Sequence, residues 1–170
     1  MHSIKPYTNV TFTKRVDYDG GAHRGPKALK GPQVCTRCGS VYLRRRWILR
    51  EDSRAELAGA AAARTVCPAC DMQAKGQEGG QLRLEGAFLA GHRAELRRLL
   101  TKEAGRAAED NPLSRIIKWD ESLPGVLTVS TSTEHLVQRL GHALNRAFDG
   151  TIEYGFSHGN KYARAVWHRD

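Results

Sequence analysis

The four cysteines of this 170-residue chain fall into two C-x-x-C pairs, Cys35-Thr-Arg-Cys38 and Cys67-Pro-Ala-Cys70, with 28 residues between them. No other feature constrains the chain as strongly. A two-residue gap lets both thiolates of a pair reach one ion while backbone amides turn toward the sulfurs, and two such pairs complete a tetrahedral shell. Four soft, anionic ligands suit Zn²⁺ and leave no open coordination position. The spacing therefore predicts one structural zinc ion held by Cys35, Cys38, Cys67 and Cys70. Gly39, directly after Cys38, suits a tight knuckle turn. The rival reading is thiol redox chemistry, because Cys67-Pro-Ala-Cys70 has the frame of a thioredoxin-like dipeptide. That frame needs its first cysteine at a helix N-terminus immediately after a strand. In the sequence the pair follows an Ala-rich stretch and precedes Gln- and Gly-rich residues, so the closed metal site is the favoured expectation.

Charge is unevenly distributed. The formal net charge is +9; residues 1–34 carry six Lys/Arg against two Asp/Glu, residues 35–75 eight against four, and residues 76–170 thirteen against twelve. Nearly all the positive excess lies ahead of residue 76, as expected when one end of a protein meets a polyanion and the other folds in its own right. Nucleic acid is the expected partner, since solubility alone does not require such segregation. The candidate RNA contacts are Lys14, Arg15, Arg24, Lys27 and Lys30 in the Gly/Pro-containing first segment, then Arg37, Arg44, Arg45, Arg46, Trp47 and Arg50. Adjacent guanidiniums fork onto phosphates, and an exposed indole stacks on an unpaired base. For Trp47 the competing role is packing over the metal module, which otherwise has little core.

Three segments follow: a basic flexible tail at 1–34, a zinc-binding module at 35–75, and an α+β domain at 76–170. Within the module, Ser53 is read as the cap of a short helix through the alanines from Ala55 to Ala63, ending near Arg64. Residues 71–80 read as a linker. Beyond it, Leu82, Leu84 and Phe88 alternate as a strand, and Leu96, Leu99, Leu100, Ala104 and Ala107 recur at helical spacing until Pro112. Ile117 and Trp119 open a second strand, and Leu127, Val129 and Thr131 form a third. Thr131 and Glu134 have capping-box spacing before a helix whose apolar stripe runs from Leu136 to Phe148 and stops at Asp149-Gly150. Ile152 to Phe156 and Tyr162 to Trp167 make two final strands that pair with each other. The expected fold is α+β: a four-cysteine zinc module, then a ferredoxin-like β-α-β-β-α-β domain with an additional C-terminal strand, both helices on one face of an antiparallel sheet.

No enzyme mechanism is expected. The sequence contains no phosphate-cradling glycine loop, no Gly-x-Ser-x-Gly elbow and no His-Glu-x-x-His helix. His92, His135, His142, His158 and His168 have neither metal spacing nor an evident nucleophile. The sequence shows neither a signal-peptide profile nor an apolar run near the roughly 20 residues that span a bilayer, so a soluble, cytoplasmic protein with no membrane contact and no small-molecule substrate is expected.

The layout resembles a known family. Paired cysteines, the basic-aromatic Arg44–Trp47 segment, Val66-Cys67-Pro68-Ala69-Cys70, a strand such as 82–89, Gly125-Val-Leu-Thr-Val-Ser-Thr-Ser and the terminal 154–167 hairpin together look like the N-terminal part of the archaeal and eukaryotic large-ribosomal-subunit export adaptors, the nonsense-mediated-decay protein three type. The match covers most of residues 35–170 and is one of order and character, with the cysteines its only specific residues. That family carries more cysteine pairs at its start and further domains downstream, so the resemblance points to a compact bacterial-type relative and not to export. It implies zinc ligation by Cys35, Cys38, Cys67 and Cys70, and a ribosome-associated role in assembly, dormancy or stress through rRNA of the large subunit. An alternative of a different class is a zinc-stapled regulatory or scaffold protein that docks another protein through its α+β domain.

Overall fold

A computed structural model describes residues 29–53, 57, 61–157 and 161–170. Lys14, Arg15, Arg24, Lys27 and His158 lie outside the described residues. The first unit is a four-stranded sheet of three-residue strands: β1 (Gln33–Cys35), β2 (Val41–Leu43), β3 (Arg46–Ile48) and β4 (Ala63–Thr65), in the order β3-β2-β1-β4. Between β1 and β2 the chain makes a knuckle in which the Gly39 amide donates to the Cys35 carbonyl at 3.0 Å. Gly39 has φ +76°, a conformation that glycine adopts without a Cβ penalty.

The expected short helix does not run on to Arg64, because Ala63 and Arg64 belong to β4; within its expected span Leu57 is helical, and residues 54–56 and 58–60 lie outside the described residues. Gln33, Val34 and Cys35 of β1 pair in parallel with Ala63, Arg64 and Thr65. Those ladder bonds outweigh the helix preference of alanine, which is worth only tenths of a kcal/mol per residue. Ser53 is fully buried in a 3₁₀ turn (Glu51–Ser53), and its hydroxyl donates back to the Arg50 carbonyl at 2.7 Å; the first turn it is expected to cap lies outside the described residues. The parallel pairing has a direct consequence for the site. With Thr65 beside Cys35, Cys67 follows two residues later at the same end of the sheet.

The expected linker is mostly a helix. α1 (Pro68–Lys75) starts with Pro68 in its first turn and ends at Gly76, whose φ of +63° makes a left-handed cap. Only residues 76–79 connect it onward, and they are tied down: the Gly79 amide donates to the Thr131 carbonyl at 2.7 Å.

The second unit contains β5 (Gly80–Glu85), α2 (Leu89–Asp110), β6 (Ile116–Asp120), β7 (Val126–Thr131), α3 (Glu134–Phe148), β8 (Thr151–Ser157) and β9 (Tyr162–His168). The element order matches the alternation of periods, although Phe88 falls after β5 and precedes α2 instead of extending the strand. The cap of α3 is Thr133, which accepts from the Leu136 amide; Thr131 instead bonds the carbonyls of Gly80 and Thr133.

The sheet order is β6-β7-β5-β9-β8. In a ferredoxin-like sheet each β-α-β unit is split by one strand, and β5-α2-β6, split by β7, obeys this. The unit β7-α3-β8 is split by two, because β9 inserts between β5 and β8 and runs parallel to β5. The sheet thus departs from the expected ferredoxin-like order and is not wholly antiparallel. Burial accounts for the exchange within the terminal hairpin. Ala163, Ala165 and Trp167 of β9 are fully or almost fully buried, whereas β8 alternates between exposed and half-buried residues and suits an edge.

Leu82 and Leu84 of β5 pack with Leu96 and Leu100 of α2 and with Leu140 and Leu144 of α3 in one core. Gln81, Arg83 and Glu85 alternate onto the opposite face, half-exposed, as expected of a sheet covered on one side. No helix among the described residues is long and apolar enough to cross a membrane.

Candidate metal centre

The four cysteine Sγ atoms all lie within 4.8 Å of one another, with Cys38 and Cys67 at 3.6 Å. All four are free thiols. The 3.6 Å separation is far beyond a disulfide bond of about 2.05 Å. It is close to the edge of about 3.8 Å expected for a tetrahedron with metal–sulfur bonds of about 2.3 Å. The donor set therefore fits a single tetrahedral ion, and among the described residues it is the one group of three or more His, Cys, Asp or Glu with that proximity. Cys35, Cys67 and Cys70 are buried, and Cys38 is exposed.

Each half of the cluster is placed by a backbone device. The knuckle turns Cys38 back toward Cys35. On the other side the Cys67 amide donates to Cys35 Sγ at 3.3 Å, and Cys67 and Cys70 flank the first turn of α1, so that both thiols project from the same helix end. No protein-family model, curated protein or solved structure matches the chain. What the cluster does is therefore read from its own chemistry.

That chemistry is asymmetric. Burial opposes ionisation of Cys38, but the Arg115 guanidinium and then the Ser40 hydroxyl and amide outweigh it and bring the thiol down to about 6. Burial also opposes ionisation of Cys35, where amides of Cys38, Cys67 and Arg37 prevail and lower it. Burial pushes the Cys67 and Cys70 thiols up, and the negative charge at Cys38 adds to the effect. Without an ion the cluster holds thiolate at Cys38 and protons at Cys67 and Cys70, and a divalent cation bound by the four sulfurs would displace those protons.

Arg115 is the functional residue that no motif marked. Its Nη2 donates to Cys38 Sγ at 3.0 Å and to Ser40 Oγ at 3.3 Å, and its Nη1 to Cys70 Sγ at 3.4 Å. Four thiolates around a divalent ion carry a net charge of about −2, and a guanidinium donating to two of them offsets part of that charge. The side chain is aimed by its own loop: Nε donates to the Pro112 carbonyl at 2.6 Å, and the Arg115 amide to Ser132 Oγ at 2.8 Å. Leu113, from the same loop, packs against the cysteine cluster. The surroundings of the cysteine cluster are thus completed by the second unit.

The Cys67 pair does occupy the frame expected of a redox dipeptide, since β4 precedes it and Cys67 is the N-cap of α1. Residue spacing predicts no helix there. The chemistry nevertheless differs from a redox nucleophile, which needs an exposed, stabilised thiolate. Cys67 is 0% exposed, and its thiol is raised.

The described basic candidates surround the module. Lys30, Arg37, Arg44, Arg45, Arg46 and Arg50 are all exposed. Trp47 is half-buried, packs against the cysteine cluster and meets Tyr42 edge-on at a ring separation of 5.6 Å. This contact places Trp47 in the packing role, with part of its ring at the surface.

Proposed function

We propose that this chain is a zinc-stapled, non-catalytic RNA-binding factor of the cytoplasm that associates with the ribosome, gripping rRNA of the large subunit. One observation carries the reading: four thiols converge within 4.8 Å in a module whose exposed side chains include Arg37, Arg44, Arg45, Arg46 and Arg50. A tetrathiolate shell is closed, so the role of the ion is structural, and it fixes short strands that bury too little to hold themselves. Zn²⁺ suits soft thiolates in tetrahedral geometry and has no redox chemistry of its own. The net charge of +9, concentrated ahead of residue 76, supplies long-range attraction to a polyanion. The resemblance to large-subunit export adaptors favours the ribosome among RNAs, in assembly, dormancy or stress.

A second reading, a scaffold that docks another protein, draws support from the sheet face bearing Gln81, Arg83 and Thr128, which lies opposite the helices. The deciding experiment is sedimentation of the tagged, metal-replete protein with ribosomal subunits across a salt series, alongside metal analysis. The proposal expects one zinc per chain and co-migration with the large subunit that weakens steeply with salt. Absence from every ribosomal fraction at low salt sinks it, and a partner that survives nuclease treatment favours the scaffold.

A further inference from the structure

The β2–β3 hairpin closes with a two-residue loop, Arg44-Arg45, and both residues have positive φ, 48° and 65°. This is the backbone of a type I′ turn, whose central positions favour Asn and Gly because a Cβ at positive φ crowds the main chain. Arginine at both positions is a local conflict. Such conflicts persist where the side chains they present are used. Both arginines are exposed, as is Arg46, which follows them at the start of β3.

The base of the hairpin is held in place. Leu43 pairs with Arg46 and Tyr42 with Trp47. Tyr42 is 9% exposed, and Trp47 rests on the cysteine cluster. Tyr42 is buried and Trp47 is half-buried against the cysteine cluster, so the aromatic surface of the hairpin is committed mainly to the module's own packing, whereas the guanidiniums of the tip are exposed. Single-stranded RNA is bound chiefly by stacking platforms, whereas paired RNA is read through its shape and its phosphate and 2′-OH contacts.

Resting on the RNA-binding reading above, we infer that the Arg44-Arg45 tip is a phosphate grip for paired RNA: two guanidiniums held in a strained turn at the end of a metal-anchored hairpin, forking onto backbone oxygens irrespective of sequence. Arginine suits this use because its planar fork engages two phosphate oxygens at once.

The test compares the full, metal-replete chain with its R44N/R45G variant, using fluorescence anisotropy on a fully paired RNA duplex and on a single strand of the same length across a salt series. Thermal melting and zinc content are followed in parallel. The unmodified chain is expected to prefer the duplex. The variant is expected to keep its zinc and to melt about 4 °C higher, because Asn-Gly relieves the turn. Its duplex affinity should fall on the order of tenfold, and its log–log salt slope by about two, roughly one per lost phosphate contact. Equal duplex affinity in the two proteins, or preference for the single strand by the unmodified chain, overturns the hairpin inference while leaving RNA binding intact. A variant no more stable than its parent shows an unstrained turn and removes the reason for the assignment. Failure of the unmodified chain to bind either RNA defeats the RNA-binding reading itself.

Discussion

Arg115 donates from Nη2 to Cys38 Sγ at 3.0 Å across 77 residues of sequence, and through this contact the second unit reaches the four-cysteine cluster. The guanidinium is buried deeply enough to oppose its charge, yet the Cys38 hydrogen bond and the thiolate charges outweigh that cost and raise its pKa. Arg115→Ala should leave the α+β core folded but remove the donor to two ligands. Outer-shell losses of this kind typically weaken metal binding by about 10–100-fold. Competition with a chromogenic chelator measures the change, and Arg115→Lys, which keeps the charge without the fork, should recover only part of it. An unaltered zinc affinity in Arg115→Ala would reduce the contact to packing.

Acid should release the ion. Cys38 is lowered to about 6, whereas Cys67 and Cys70 are raised. At neutral pH the metal-free cluster therefore keeps Cys38 ionised, and binding expels protons from the other two. Affinity must rise with pH, by roughly two to three powers of ten per unit near neutrality, with protons leaving Cys67 and Cys70 and a third to the extent that Cys35 holds one. Below pH 6 the Cys38 proton joins them and the dependence steepens. Calorimetry in buffers of different ionisation enthalpy counts the protons; a count of zero would contradict the assignment of charge within the cluster.

Chelation should unfold one unit and spare the other. The module buries Cys35, Cys67, Ala69 and Cys70 in one small cluster, with Trp47 and Leu113 against it and Val41, Tyr42 and Met72 buried elsewhere in the unit, which is too little to hold three-residue strands without an ion. Hydrogen exchange after chelator treatment should show protection lost in β1 to β4 and α1 and retained in β5, α2, α3 and β9. Emission from Trp47 should shift to the red, a change absent from Trp47→Phe. Retained protection around β1 and β4 would mean that the module folds without metal.

Local periods made much of this legible. The two cysteine pairs, α2, α3 and most strands of the second unit follow from spacings that single segments reveal. α1 was also marked, by Pro68 just inside its start and Gly76 just past its end, but the Gln- and Gly-rich residues around it read as a linker. β4 could not be read locally, because Ala63 and Arg64 become a strand only when β1 supplies its ladder. The insertion of β9 beside β5 depends on how two hairpin strands share the core, a choice between neighbours that neither sequence contains alone. Arg115 was hidden for the same reason: nothing near it in the chain is metal-like, and its partners lie 45 and 77 residues away.

Stability of the second unit depends on an ion pair between its helices. Glu103 of α2 is 7% exposed and accepts from Arg139 Nε of α3 at 2.7 Å, with Arg106 alongside; Arg139 also reaches Asp110 at 2.8 Å. The Arg139 hydrogen bond, working against burial, holds the Glu103 carboxyl below its ordinary range. A depressed carboxylate contributes its full stability above its unfolded-state pKa and loses it as pH falls through the folded value, so this pair stabilises the protein at neutral pH and fails in acid. Arg139→Ala leaves Glu103 buried without its main partner. The Arg139 side chain is 35% exposed, and solvent screening discounts the loss to about 1–2 kcal/mol, below that of a fully buried pair. Urea unfolding of the metal-replete protein measures this. Glu103→Gln should flatten the acid limb of the stability curve while costing less at neutral pH, because the amide keeps one acceptor for Arg139. If both variants match the parent at pH 7 and in acid alike, the two helices are held by their apolar contacts alone.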